Sequence, residues 1–201
     1  NYFDRNLELE NFLKNNNKME YFEQIKKIGE MVEVISVRQK EQLGLGHAIS
    51  CTEHIIGNEP FAVILGDDII RSKIPVTKQL IEISKANDYS SVIGVMEVDP
   101  NKTDKYGIVA GKYINGSKTT LKMSDMVEKP KPADAPTHLA TPGRYILTAS
   151  IFKYLKEIPR GAGGEFQLTD AIKYQCQKEN VFAHIFEGDR FDTGSIDGYL
   201  D

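Results

Sequence analysis

Four short stretches of the sequence combine residue types that can do chemistry. Gly66-Asp67-Asp68 follows the apolar run Phe61 to Leu65. Two acids at the end of a buried strand suit a hard cation, because Mg²⁺ takes oxygen ligands close to phosphates. A turn capped by one of the acids is the competing reading. Asp67, nearer the strand end, is the expected ligand, and Asp68 the residue that orients the loop. Phe191-Asp192-Thr193-Gly194 offers Asp192 as a second carboxylate for the same cation. Asp192 as N-cap of a helix starting near Ser195 stands level with that reading.

The stretch Arg38 to Ala48 holds Gly44 and Gly46 in a loop that feeds a helix start. Glycines let a flat or anionic ligand approach the backbone, and a helix start offers free N–H groups. The amide of Gln39 both donates and accepts, so it suits a base edge. A plain strand-to-helix turn accounts for the same residues. Val127-Glu128-Lys129-Pro130 pairs an acceptor for sugar hydroxyls with a cation for phosphate, although in isolation an ordinary surface pair is favoured. The four histidines share no spacing, and no Ser/His/Asp or Cys/His set is present. That points to catalysis by positioning and charge neutralisation rather than by a protein nucleophile.

These residues need elements to hold them. Apolar spacing predicts two helices on either side of a polar break at Asn15 to Lys18. A β-branched strand is expected at Val32 to Val37, then a helix from Ala48 to Gly57. Phe61 to Leu65 reads as a strand buried on both faces, followed by a helix around Leu80 and a strand from Ser91 to Val98. Strand and helix in alternation imply a mostly parallel sheet with helices on its faces. Beyond Pro100 the rhythm changes. Gly107 to Tyr113 and Thr119 to Val127 flank Asn115-Gly116, a hairpin signal. A strand at Arg144 to Leu147, helices at Ser150 to Ile158 and Gln167 to Lys178, and a strand at Val181 to Phe186 follow.

Composition sets the outer limits. The 201 residues carry 25 Lys+Arg against 29 Asp+Glu, a net charge of −4, so a dedicated nucleic-acid or membrane-surface binder is not expected. No apolar run approaches the roughly 20 residues that span a bilayer. Cys51 and Cys176 form neither a framework nor a metal spacing and read as buried thiols of a reducing cytoplasm. The chain starts at Asn1 rather than Met, and Gly198-Tyr199-Leu200-Asp201 reads as the opening turn of a helix. The expectation is of one domain cut from something longer.

Together the motifs resemble the bacterial UTP–glucose-1-phosphate uridylyltransferases (UDP-glucose pyrophosphorylases) of the sugar nucleotidyltransferase superfamily. The resemblance rests on Val37-Arg38-Gln39, Gly44-Leu45-Gly46-His47-Ala48, Glu59 to Asp68, Tyr106-Gly107, Val127 to Pro130, Gly143-Arg144-Tyr145, Gly161 to Ala171 and Asp192-Thr193-Gly194. It covers essentially the whole chain. It implies an α/β, Rossmann-like, mostly parallel mixed sheet of the nucleotidyltransferase, GT-A-like kind with a β-hairpin insertion. It also implies a single domain over 1–201, without the family's first strand and Gly-rich triphosphate loop at the start and without its C-terminal helix at the end. The implied reaction joins UTP and glucose 1-phosphate into UDP-glucose and pyrophosphate with Mg²⁺, in the cytoplasm, by a homo-oligomer.

On this resemblance Gln39 and Gly44 contact uracil. Asp67 and Asp192 hold Mg²⁺, and Gly107 and Glu128 contact glucose hydroxyls. Lys129 contacts the sugar phosphate, Gly143 approaches the sugar, and Asp67 and Lys129 are the catalytic pair. Glu165 and Asp170 belong to a signature block that shapes the pocket. The chain departs from the family at Thr137-His138, where Ser-Asn is usual, and at Pro142, where an aliphatic residue is usual. A thymidylyltransferase-like relative, which carries Leu-Ala-Gln in place of Leu45-Gly46-His47, and a non-catalytic sugar-nucleotide-binding fragment are the alternatives.

Overall fold

The computed structural model describes residues 5–114 and 116–194. Contacts divide the chain into two compact units, up to Arg38 and from Gln39 onward. The first unit is a pair of helices, α1 (Leu7–Asn15) and α2 (Met19–Gly29). The Asn6 side chain accepts from the Leu9 N–H at 3.0 Å and caps α1. Leu13 and Phe22 are the buried apolar side chains of this pair, and Lys14 lies over the Phe22 ring. The expected strand at Val32 to Val37 is absent: these residues form no helix or ladder, and Val32, Val34, Ile35 and Val37 are exposed. β-branched residues favour an extended backbone, but a strand exists only where a neighbouring ladder takes up its N–H and C=O groups.

The second unit opens with α3 (Leu45–Ser50) and α4 (Glu53–Ile56). Together they replace the single expected helix, although the run still stops at Gly57, at a φ of 63°. Next come β1 (Phe61–Ile64), β2 (Asp68–Arg71), α5 (Val76–Ala86) and β3 (Ser91–Glu97). The hairpin is β4 (Gly107–Tyr113) and β5 (Thr120–Glu128). Gly116 lies between the two strands at a φ of 80°, and Asn115 of the expected turn lies outside the described residues. Then follow β6 (Leu139–Thr141), β7 (Arg144–Leu147), α6 (Ile151–Glu157), α7 (Leu168–Cys176), β8 (Val181–Ile185) and β9 (Asp189–Asp192). The helix expected near Ser195 also falls outside the described residues.

Seven strands form one mixed sheet, and β2 and β9 form a separate two-stranded ladder. The α/β class is as expected, but the pairing is mostly antiparallel. Among the described strands only β3 and β8 run parallel. The cause is an inserted strand. β7 pairs antiparallel with β1 on one side and with β3 on the other, so β1 and β3 point the same way without touching. β1 is therefore an edge strand, half-buried rather than covered on both faces, and Ile64 is exposed.

β3 alternates between two cores, as a central strand must. Val92 packs with Val76 and Leu80 of α5 and with Ile146 and Phe182. Ile93 and Val95 face the larger core, which holds Ile49, Phe152, Leu155, Leu168 and Ile172 from the helices on the other side. Both cysteines are unbridged, and they are half-buried rather than buried. No helix among the described residues is long and apolar enough to cross a membrane.

Candidate functional site

The glycine loop is held from behind by the Gly161 to Ala171 block. The Phe166 N–H donates to the Leu43 carbonyl at 2.8 Å, and the Gly46 N–H donates to the Phe166 carbonyl at 2.9 Å. Gly44 sits at a φ of 89°, and a Cβ there would lie 2.8 Å from Glu165 Cβ. A Cβ on Gly46 would lie 2.6 Å from the Phe166 carbonyl oxygen. Both glycines thus answer to close approach by residues 165 and 166. Gln39 Nε2 donates to the Gly44 carbonyl at 3.1 Å and lies 2.9 Å from His47 Nδ1. Carbonyl oxygens only accept, so this fixes which end of the Gln39 amide is nitrogen.

A cavity of about 410 Å³ opens beside this loop, lined by Leu45, Glu165 and Gln167 on that side. Its floor carries the carboxylates. Asp67 and Asp68 follow β1, and Asp192 ends β9, directly opposite Asp68 in the β2–β9 ladder. Thr193 ties the two strand ends together: its N–H and hydroxyl both donate to the Asp67 carbonyl, at 2.8 and 2.9 Å. Asp192 Oδ1 accepts from the Gly194 N–H at 3.1 Å.

The turn before Asp68 is pinned by Arg144, nearly buried at 9% exposure. Its guanidinium donates to the carbonyls of Leu65 at 3.0 Å, Gly143 at 3.3 Å, and Asp68. Gly143, at a φ of 97°, brings its backbone against Leu65, where a Cβ would come within 2.5 Å.

The opposite wall comes from the hairpin. Gly107 of β4 pairs with Glu128 of β5, and a Cβ on Gly107 would lie 3.4 Å from Glu128 Oε2. Thr169 Oγ1 donates to that oxygen at 2.6 Å, which sets the carboxylate from the start of α7. Lys129 has a φ of 45°. Its N–H donates to the Tyr106 carbonyl at 3.0 Å, and its ammonium lies 3.8 Å from Glu128 Oε1.

Asp67, Gly107, Glu128, Lys129 and Asp192 all line the cavity. Gln39, Gly44 and Gly143 are not in its lining and stand beside or behind it. Of the departures, Pro142 lines the cavity, whereas Thr137 and His138 lie at a different surface hollow with Glu97 and Tyr113.

The lining holds five acids against three bases, Lys105, Lys129 and Arg190. Burial pushes the Asp68 carboxyl up despite its bond to Arg190, and the nearby Asp67 and Asp192 charges push the same way. Burial works to lower the Arg190 guanidinium, but Asp68 outweighs it and the net direction is up. Burial also lowers Arg144 and holds the Tyr145 phenol up at about 12.

A divalent cation fits the residues present. Asp192 Oδ1 and Asp67 Oδ2 lie 3.2 Å and 3.5 Å from where a Cβ on Gly194 would stand, so both carboxylates approach the same backbone segment. Among the described residues no set of three or more His, Cys, Asp or Glu gathers to hold a metal. Two carboxylates suit Mg²⁺, which keeps its remaining positions for water and substrate phosphates.

Tyr106, Arg144 and Thr169 stand inside motifs the sequence singled out but had no role assigned to them, and Arg190 stood outside every motif. For Arg190 a signal existed: residues 190 and 192 share a face of any strand that contains both, but a four-residue strand at 189–192 has too little apolar pattern to be seen.

The chain matches the nucleotidyl transferase family over residues 8–201. It is 45% identical over 193 residues to the UTP–glucose-1-phosphate uridylyltransferase YngB of Bacillus subtilis strain 168, covering 96% of this chain and 64% of that protein. Among solved structures it is similar to a UDP-glucose pyrophosphorylase complexed with UDP-glucose, with a TM-score of 0.85 and 40% identity. That match covers 99% of this chain and 72% of the other. It is likewise similar to UTP-bound UGPase from Acinetobacter baumannii, with a TM-score of 0.88, 37% identity, and coverage of 100% and 69%. A glycine loop, a carboxylate-floored cavity and an α/β sheet that superimposes on these structures lead to one conclusion: the chain belongs to the nucleotidyl transferase family.

Proposed function

We propose that this chain carries the catalytic site of a UTP–glucose-1-phosphate uridylyltransferase. The observation that supports it most is the gathering of Asp67, Gly107, Glu128, Lys129 and Asp192 around one cavity, in a chain 45% identical to YngB. In this reading Gln39 and Gly44 hold the uracil, Gln39 with an amide whose orientation is set by Gly44 and His47. Glu128 accepts from glucose hydroxyls, held for that task by Thr169, and the Gly107 and Gly143 backbones approach the sugar.

A phosphate oxygen of glucose 1-phosphate attacks the α-phosphorus of UTP. A P–O bond forms, the bond to the β-phosphate oxygen breaks, and pyrophosphate leaves with the electron pair. The attacking oxygen is already ionised, so no general base is required. Both reactants are anions, and the cavity itself is rich in acids, so repulsion is the main obstacle. Lys129 neutralises the sugar phosphate and aligns it. Mg²⁺, held by Asp67 and Asp192, would supply charge neutralisation on the nucleotide phosphates.

The test is turnover of the purified protein with glucose 1-phosphate and Mg²⁺, reading pyrophosphate release with UTP and with dTTP. Preference for UTP is expected. Preference for dTTP would sink the reading in favour of a thymidylyltransferase. The reaction's phosphorylated metabolites imply a cytoplasmic setting. A homo-oligomer is also part of this reading, and light scattering would detect it.

A further inference from the structure

His47 is half-buried on α3, with its ring between two partners. Nδ1 lies 2.9 Å from Gln39 Nε2, and Nε2 lies 4.0 Å from Cys51 Sγ. An amide nitrogen only donates, so Nδ1 accepts, and the hydrogen of the neutral ring sits on Nε2. Cys51 Sγ is a weak acceptor on that side.

Gln39 Nε2 has two hydrogens. One goes to the Gly44 carbonyl at 3.1 Å and the other to His47 Nδ1. Both are used within the protein, and among the described residues no group donates to Gln39 Oε1. An amide that in general donates and accepts is thereby reduced to an acceptor. Position 3 of a pyrimidine base reads that difference. Uracil carries a hydrogen on N3 and donates, whereas cytosine has a lone pair there and accepts. An acceptor fits the first and meets the second with two facing lone pairs. A turned amide would reverse the preference, but it would set Oε1 against the Gly44 carbonyl oxygen and the His47 Nδ1 lone pair together.

We propose that His47 is a positioning residue for base choice: by accepting from Gln39 Nε2 it holds the Gln39 amide as an acceptor and so favours nucleotides whose base has an N–H at ring position 3, uracil over cytosine. The inference rests on the reading of Gln39 as the base contact. It differs from a merely structural role in what removal of His47 does. Loss of support for the loop weakens UDP-glucose and CDP-glucose alike, whereas loss of the Nδ1 acceptor lets the amide turn and lowers the preference between them.

The experiment measures binding of UDP-glucose and of CDP-glucose to the full chain by calorimetry. The readout is the ratio of the two affinities in wild type, His47→Phe, His47→Leu and His47→Asn, with near-UV circular dichroism to establish that each is folded. His47→Phe keeps a ring and has no acceptor, and its ratio in favour of UDP-glucose is expected to fall by about tenfold. His47→Asn carries a side-chain oxygen that can accept in place of Nδ1, and its ratio is expected to stay near that of wild type. Long-range proton–nitrogen NMR of the neutral His47 ring in the free protein is expected to find the hydrogen on Nε2.

An unchanged ratio in a folded His47→Phe overturns the proposal, because the Gly44 carbonyl then sets the amide alone. If His47→Phe does not fold, His47→Leu decides by the same ratio. A hydrogen on Nδ1, or a ratio in His47→Asn as low as in His47→Phe, also overturns it. Failure of the underlying reading looks different: Gln39→Leu binds UDP-glucose as well as wild type does, or wild type binds neither sugar nucleotide.

Discussion

Gly44 is constrained twice, by its φ of 89° and by Glu165 Cβ standing 2.8 Å from where a Cβ would go. Gly44→Ala therefore combines an unfavourable backbone region with a clash that the Phe166–Leu43 and Gly46–Phe166 bonds prevent from relaxing. A loss of about 1–3 kcal/mol of stability is expected, measured by denaturant unfolding, together with weaker UDP-glucose binding. An unchanged midpoint would mean that the loop can move away from residues 165 and 166. Asp67 makes a contrasting case. Its carbonyl is held by Thr193, so Asp67→Ala keeps the backbone tie and loses only the carboxylate. Stability should stay near wild type while Mg²⁺-dependent turnover falls by more than about a hundredfold, since even outer-shell partners of metal ligands are worth 10–100-fold. Retained turnover would put the cation elsewhere.

Among the elements, α7 brings Asp170 into its first turn, where a helix start favours a carboxylate. Burial nevertheless raises the Asp170 carboxyl, the Glu128 charge adds to that, and Lys173 only partly offsets them. A carboxyl raised in the folded state binds its proton more tightly there than in the unfolded chain. Stability therefore falls as pH rises from the ordinary value of 3.8 through the raised one, and the deficit persists above it. Asp170→Asn removes the deficit, so its melting temperature at pH 7 should exceed that of wild type, with the gain shrinking as pH approaches 4. A gain independent of pH would trace to something other than ionisation.

The same scale explains what was legible in the sequence. α5, α7, β3 and the β4–β5 hairpin carry long apolar periods or turn residues, and they stand close to where periodicity puts them. The β2–β9 ladder does not announce itself. Its strands have four residues each, and residues Asp189, Arg190 and Asp192 carry charge. Yet this ladder brings Asp68 opposite Asp192. The carboxylates were readable as candidates because they follow apolar runs, but Arg190, which holds Asp68 and Asp192, was hidden with the short strand β9. The parallel expectation failed for a related reason. β7 enters between β1 and β3 from far along the chain, and no local pattern encodes a non-local neighbour.

Across the whole chain, the stretch from Val32 to Lys40 differs most from the rest. It has no helix or ladder, and its side chains are exposed except at Gln39, which is half-buried. Proteases need an extended, accessible backbone free of hydrogen-bonded structure. Arg38 and Lys40 give trypsin two sites in that stretch, so the first cut is expected after one of them, before any cut between 45 and 192. Mass spectrometry of a short digest reads this directly, and early cuts inside 45–192 would count against it. The digest also bears on function. Gln39 is the residue between the two sites, and its amide is joined to Gly44 and His47. If Gln39 and Gly44 grip uracil, UDP-glucose with Mg²⁺ must hold this backbone closed and slow the cut in proportion to occupancy, because cleavage follows the population of the open form. A cut rate indifferent to saturating UDP-glucose, in a protein that binds it by calorimetry, would remove Gln39 from the base site while leaving the carboxylate floor untouched.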